Sequence, residues 1–165
     1  MSMTTGILKE LDLEAATTRR VLERVPTDKL DWKPHAKSMT LGELALHTAM
    51  VPGHISSLIK VDEFKFGVAK PPVATSTAEI LAAHDASAKE ARDVIGGLGD
   101  DGLAAGWKAT AGDKTIFEMP KSAVVRSVLL NHWYHHRGQL SVYLRLLDIP
   151  VPSIYGPSAD ENPFR

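Results

Sequence analysis

The sequence predicts an all-α protein, a four-helix bundle with long connections. Four segments repeat apolar residues in steps of three and four, which is helical spacing. Proline or glycine marks each break between them, and only "TIFEM" (115–119) offers a short strand. A chain of 165 residues fits one domain, residues 1–165, large enough to bury its own core.

The first helix shows Leu8, Leu11, Ala15, Thr18, Leu22 and Val25 on one line, with Lys9, Glu10, Arg19, Arg20 and Glu23 off it. Pro26 ends it. "PTDKLDWKPHAKSMT" has no period and two prolines, so it reads as a loop from which Trp32 folds back onto the bundle. The second helix starts at Thr40, with Glu43 three residues on as a capping box requires. Leu41, Leu44, Val51, Ile55 and Leu58 mark its face, and Pro52 within it should kink or break it. "FGVAKPPVATST" (66–77) is the next loop, with Ser76 or Thr77 as the following cap. The third helix carries Leu81, His84, Ala88, Ala91, Ile95 and Leu98 and should stop at "GGLGD". Residues 99–120 are glycine-rich and aperiodic, a loop long enough to cover a site or a partner. The fourth helix runs from about Ser122 to Leu147 before Pro150 and Pro152, and "IYGPSADENPFR" reads as an irregular tail.

Composition excludes several functions. The net charge is −1 with Lys and Arg scattered, so the chain lacks the basic stripe of a nucleic-acid binder. With no cysteine there is no disulfide, thiolate ligand or cysteine nucleophile. Acidic residues interrupt the N-terminal apolar stretch, which is therefore no secretory signal. No run reaches the roughly 20 apolar residues of a membrane span. These features together read as a cytoplasmic protein.

The chemistry lies in the histidines. The fourth helix's apolar line reads Val125, Leu129, His132, His136, Leu140, Tyr143, Leu147. An i, i+4 pair brings two imidazoles close enough to share a cation, while His135 is rotated about 100° away. Two hydrogen-bonded core histidines are the plain alternative. Trp133 follows the first histidine, so the Glu base of a His–Glu–x–x–His zinc protease is absent. His47 projects from the apolar face of the second helix and can add a third nitrogen. Three imidazoles leave coordination positions open, as catalytic sites do, and suit Zn, Ni, Fe or Cu. His54 lies two turns beyond His47, past Pro52. His84 beside Asp85 could be a fourth ligand, a supporting base or a packed core residue, and His35 reads as solvent-facing.

"NHWYHHRGQLSVYLR" closely resembles the signature of the DinB/YfiT-like family of metalloenzymes, His–x–x–x–His–Arg–Gly–Gln on the last bundle helix. "TTRRVLERVPTDKLDWKPHAKSMTLGELALHTA" resembles that family's first helix, Trp–x–Pro loop and second-helix histidine, and "YGPSADEN" its C-terminal end. Residues 60–120 add little. The resemblance implies a four-helix bundle holding one divalent metal per chain at His47, His132 and His136. It also implies a homodimer through bundle helices and, by analogy with thiol-dependent transferases and isomerases, a low-molecular-weight thiol as partner of a small-molecule substrate. Within the signature, Arg137 could hold a substrate carboxylate or tie down a loop by a salt bridge. Gly138 should mark a close helix contact, and Gln139 should orient a ligand histidine. Trp133, Tyr134 and Tyr143 read as core or dimer-interface residues.

Two functions follow as expectations. One is a metal-dependent transferase, isomerase or hydrolase, with Zn or Ni, or else Mn or Fe, and no assigned general base. Glu43 reads as a cap before it reads as a base, and Asp85 and Glu118 are unplaced. The serines sit near loops and caps with no nucleophile elbow. The other is a non-catalytic, stress-associated dimeric bundle that binds a metal or small ligand.

Overall fold

The computed structural model describes residues 2–65, 67 and 72–164, so part of the loop expected over 66–77 lies outside the described residues. The first helix, α1 (Met3–Leu22), starts where the Ser2 hydroxyl accepts the Thr5 N–H at 3.1 Å. It buries Leu11, Thr18, Val21 and Leu22. Trp32, from the following loop, returns edge-on to Tyr143 with ring centroids 5.6 Å apart.

Helix α2 (Leu41–Leu58) opens on a complete capping box. The Glu43 N–H donates to Thr40 Oγ1 at 3.1 Å, and the Thr40 N–H donates to Glu43 Oε2 at 2.7 Å. Of the kink or break expected at Pro52, the break does not occur, and α2 runs through the proline. Two side chains explain why. Proline has no N–H for the Thr48 carbonyl one turn back, and the Trp133 indole N–H donates to that oxygen instead, at 2.9 Å. The next N–H, of Gly53, donates to Ser87 Oγ at 2.7 Å. A Cβ on Gly53 would lie 2.9 Å from Ser87 Cα, so glycine permits this approach of α2 to the third helix.

That helix, α3 (Thr77–Ala104), is capped by Ser76, whose hydroxyl accepts from the Glu79 N–H at 3.2 Å. It does not stop at "GGLGD". Gly99 alone leaves helical geometry, at φ +61°, and one further turn continues to Ala104. The kink sets the Asp100 carboxylate against the start of α1, where it accepts the Thr4 N–H at 2.8 Å. A negative charge is favoured at that positive helix end.

The last rod, α4 (residues 121–146), begins with Lys121–Ala123, widens into a π-helical segment over Val124–Leu130, and returns to α-helix over Asn131–Leu146. In the wide segment hydrogen bonds reach five residues back, as from the Asn131 N–H to the Arg126 carbonyl. Helix α3 packs against α1 and α2, and α4 packs against α2 and α1.

The purely all-α expectation needs correction, because a small sheet joins the helices. Strand β1 (Glu63–Lys65) pairs in parallel with β2 (Gly106–Ala111), which pairs antiparallel with β3 (Lys114–Pro120). The segment "TIFEM" is indeed strand, but its partner "GWKATA" was expected to be loop. Strand β2 supplies the fully buried apolar side chains, Trp107 and Ala109, with Phe64 of β1 and Met119 of β3 partly buried against the same cluster, and the Trp107 indole donates to the Leu58 carbonyl at 3.1 Å. Strand β3 is almost wholly exposed, so neither strand displays a long apolar alternation.

The sheet closes one end of the core, with Ile59, Ile95, Leu103 and Leu129 around Trp107. A second cluster, including Leu22, Leu44, Ile80, Leu140 and Leu144, fills the other end. No helix among the described residues is long and apolar enough to cross a membrane.

Candidate metal centre

His47 of α2 and His132 and His136 of α4 meet where these two rods face each other. Their ring nitrogens all lie within 4.8 Å of one another. His132 Nε2 is 3.4 Å from His47 Nε2 and 2.7 Å from His136 Nε2. All three side chains are half-buried. The α4 histidines are therefore not core positions, as their place in the apolar line suggested. The buried stripe is offset by one residue and reads Leu129, Leu130, Trp133, Arg137, Leu140, Leu144. Both lines have helical spacing. The true one contains an arginine, which a hydrophobicity pattern discards.

Burial lowers the pKa of each imidazole, and the neighbouring rings add to the shift. For His47 the value falls to about 4, through burial first and then the charges of His136, His132 and His54. The three rings are thus neutral at pH 7, the form that donates a lone pair to a cation. The amide oxygen Oε1 of Gln139 accepts from Nδ1 of His136 at 2.8 Å, as expected for this residue. That bond puts the proton on Nδ1 and frees Nε2 to face the other two rings. Nitrogen ligands about 2.0–2.1 Å from a tetrahedral cation stand about 3.3 Å apart. The His47–His132 spacing already has that value, and the group could hold a metal ion.

A cavity of about 370 Å³ opens onto His47 and His132. Its walls are mainly apolar, from Met39, Leu46, Met50, Val51, Ile55 and Pro72, with Glu43 and His54 as the polar members. Sequence reasoning missed these apolar residues. The available signal was that α2 is apolar nearly all round, more than a single core-facing stripe requires.

The remaining candidates lie elsewhere. His84 is buried beside Trp133, and its Nε2–H donates to the Ala15 carbonyl at 3.0 Å, so it is a packed core residue. His135 is exposed with its ring 4.9 Å from that of His136, and His35 is exposed and accepts from the Lys37 N–H. Asp85 pairs with Arg19 at 3.0 Å, Glu118 sits on the exposed strand β3, and neither lines the cavity.

Arg137 is 1% exposed, and it ties elements together as the salt-bridge alternative expected. It meets Glu14 Oε2 at 2.6 Å and Thr18 Oγ1 at 3.1 Å, and it also reaches the Tyr155 hydroxyl. The rings of Tyr134 and Tyr155 flank its guanidinium, with centroids 5.2 and 4.9 Å away. Gly138 contradicts its expected role: it is exposed, and a Cβ there would meet nothing within 4 Å. The close helix approach belongs to Gly53 instead.

The sequence and the fold both have known counterparts. The DinB family model matches residues 1–163, and the chain belongs to the DinB family. It is 29% identical over 163 residues to the uncharacterized protein YrdA of Bacillus subtilis, covering 93% of this chain and 89% of that one. Among solved structures, a DinB-like protein from Bacillus cereus superposes with a TM-score of 0.73 at 26% identity, covering 92% of this chain and 97% of the other. YjoA of Bacillus subtilis, a DinB-like protein at 18% identity, shares the fold with a TM-score of 0.67 over 88% of this chain and 95% of its own.

Proposed function

We propose that this protein is a divalent-metal-dependent enzyme acting on a small molecule at a cation held by His47, His132 and His136. The observation that carries this reading is the convergence of three neutral ring nitrogens within 4.8 Å at the wall of an apolar cavity. A structural metal site is normally closed by four protein ligands; three imidazoles leave room for a reactant. A cation there would lower the pKa of a bound water toward 7 or hold a low-molecular-weight thiol as its thiolate. Zinc or nickel suits the nitrogen set best, with manganese or iron as alternatives. The chain's own contribution is orientation: Gln139 fixes the His136 tautomer, and Trp133 locks α4 against α2 beside the ligands. The apolar cavity walls would exclude bulk water from the reactants.

A thiol-dependent transfer or isomerisation and a hydrolysis both fit this arrangement in a reducing, cytoplasmic setting. The outer face of α4 supports a homodimer, because Val142 and Leu146 are more than half exposed there beside the open Gly138. The test of the metal centre is elemental analysis of untagged protein purified without nickel, with His47→Ala and His136→Ala alongside. About one metal per chain in the wild type, lost in both folded variants, is the expected result. No metal as purified, and no uptake from added Zn, Ni, Mn or Fe, would reduce the triad to packing and favour a non-catalytic bundle.

A further inference from the structure

We infer that the cavity beside the triad selects an apolar molecule bearing an amine or another cationic donor, and that the Glu43 carboxylate is the group that reads it. This rests on the reading of that cavity as the substrate site and adds the class of molecule it takes.

Three features of the chain converge on this class. The first is the lining. Among the described residues it includes no lysine or arginine, the side chains that usually hold carboxylates and phosphates. The single charged member among those described residues is Glu43, and the two methionines, Met39 and Met50, are flexible enough to fit varied apolar shapes.

The second feature is the end of α2. A helix N-terminus is ordinarily an anion site because its first N–H groups are unpaired. Here they are already used. The Leu41 N–H donates to the Trp32 carbonyl at 2.7 Å, the Gly42 N–H to the Leu30 carbonyl at 2.9 Å, and the Glu43 N–H to Thr40 Oγ1. The Glu43 side chain further places negative charge at that end, so this anion-attracting backbone is closed.

The third feature is size. About 370 Å³ lies near the lower end of pockets that enclose drug-sized ligands. An anionic reacting group would be drawn to a cation held by His47, His132 and His136, because three imidazole ligands would leave the metal charge uncompensated. The body of the molecule must then lie along Leu46, Met50 and Val51, with a donor directed to Glu43.

Three probes on one skeleton test this: 4-phenylbutylamine, 4-phenylbutan-1-ol and 4-phenylbutyrate, titrated at pH 7 into zinc-loaded and metal-stripped protein. On the stripped protein the amine should bind about threefold tighter than the alcohol and about tenfold tighter than the carboxylate, the scale of a partly exposed ion pair. Glu43→Gln should erase the gap between amine and alcohol. Glutamine still serves in a capping box, so an unchanged melting temperature would separate loss of recognition from loss of the helix start. Leu46→Trp, which fills the cavity, should weaken all three probes together.

A carboxylate that binds tightest to the stripped protein would overturn the inference, as would an amine preference that survives Glu43→Gln or the absence of binding by any probe. Zinc content, measured on the same samples, keeps the two readings apart. The amine preference without uptake of zinc, nickel, manganese or iron would support the pocket chemistry and sink the metal centre. One zinc per chain with no amine preference would do the reverse.

Discussion

His136 and Arg137 are consecutive residues of α4, about 100° apart around the helix, and they illustrate two ways a bundle carries polar side chains. Arg137 points into the core, where every visible partner is an acceptor or an aromatic face: Glu14 and Thr18 from α1, Tyr155 from the tail, and Tyr134 from its own helix. His136 points to the α2 side, where its neighbours are two more imidazoles. The arginine cluster is complete without a ligand. The histidine cluster gathers lone pairs that have no protein cation to meet. A satisfied charge network points to architecture, and convergent acceptors beside a cavity point to binding.

The comparison is tested most severely at Arg137. Arg137→Met would leave Glu14, only 13% exposed at its side chain, without its cationic partner and with the Tyr155 hydroxyl at 3.0 Å still donating to it. Breaking one side of a buried pair costs about 3–5 kcal/mol, most of it from the stranded charge. Urea unfolding should show a loss of that size, and adding Glu14→Gln should recover part of it. A loss below about 1 kcal/mol would mean that the cluster is dispensable to the fold and that Arg137 is free for another role.

The imidazole cluster should respond to pH in the metal-free protein. The folded pKa values of His47, His132 and His136 lie below the ordinary value near 6.5, with His47 at about 4. The unfolded chain therefore binds protons that the folded chain refuses. Stability should be at its plateau above about pH 6.5 and fall between there and pH 4, by up to about 1.4 kcal/mol per pH unit for each group. His84, lowered chiefly by its burial, contributes in the same direction. Replacing the three site histidines with alanine should flatten the upper part of the profile to what His84 supplies, while the depressed carboxylates of Glu10, Glu79 and Glu161 add their own loss at its acid end. A slope that survives in full would place the acid sensitivity outside the triad.

Trp133 joins the two regions, since its ring packs in the core while its N–H completes α2 beside His47. Trp133→Phe strands the Thr48 carbonyl, at a cost of about 1–3 kcal/mol for a buried unsatisfied group. Pro52→Ala restores a backbone donor to that same oxygen. The tryptophan substitution should therefore cost less in the Pro52→Ala background. Equal cost in both backgrounds would show that the indole stabilises by packing alone.

Much of this arrangement was readable from residue patterns because it depends on local rules. Thr40 and Glu43 announce the start of α2, and spacing puts His132 and His136 on one side of a helix. What escaped depends on partners distant in the chain. Pro52 reads as a breaker until a tryptophan 81 positions later is seen to accommodate it. Arg137 reads as either a carboxylate holder or a salt bridge until Glu14 and Tyr155 are seen to surround it. Strand β2 reads as loop because its inward contacts are with the end of α2, not with an apolar β3. The π-helical segment over Val124–Leu130 breaks the ordinary period ahead of the histidines and leaves no simple compositional mark.

Gly138 gives the smallest expected effect and the sharpest contrast with Gly53. At Gly53 a Cβ would collide with Ser87, whereas at Gly138 the space is open and the backbone is helical. Gly138→Ala should therefore stabilise the monomeric fold by about 1 kcal/mol, the ordinary difference in helix propensity. A gain of that size with unchanged assembly would leave this glycine without a packing role. If instead the alanine variant loses stability in proportion to protein dilution, the surface beside Val142 and Leu146 meets a second copy of the chain. The close contact expected at Gly138 would then lie between subunits and not within the bundle.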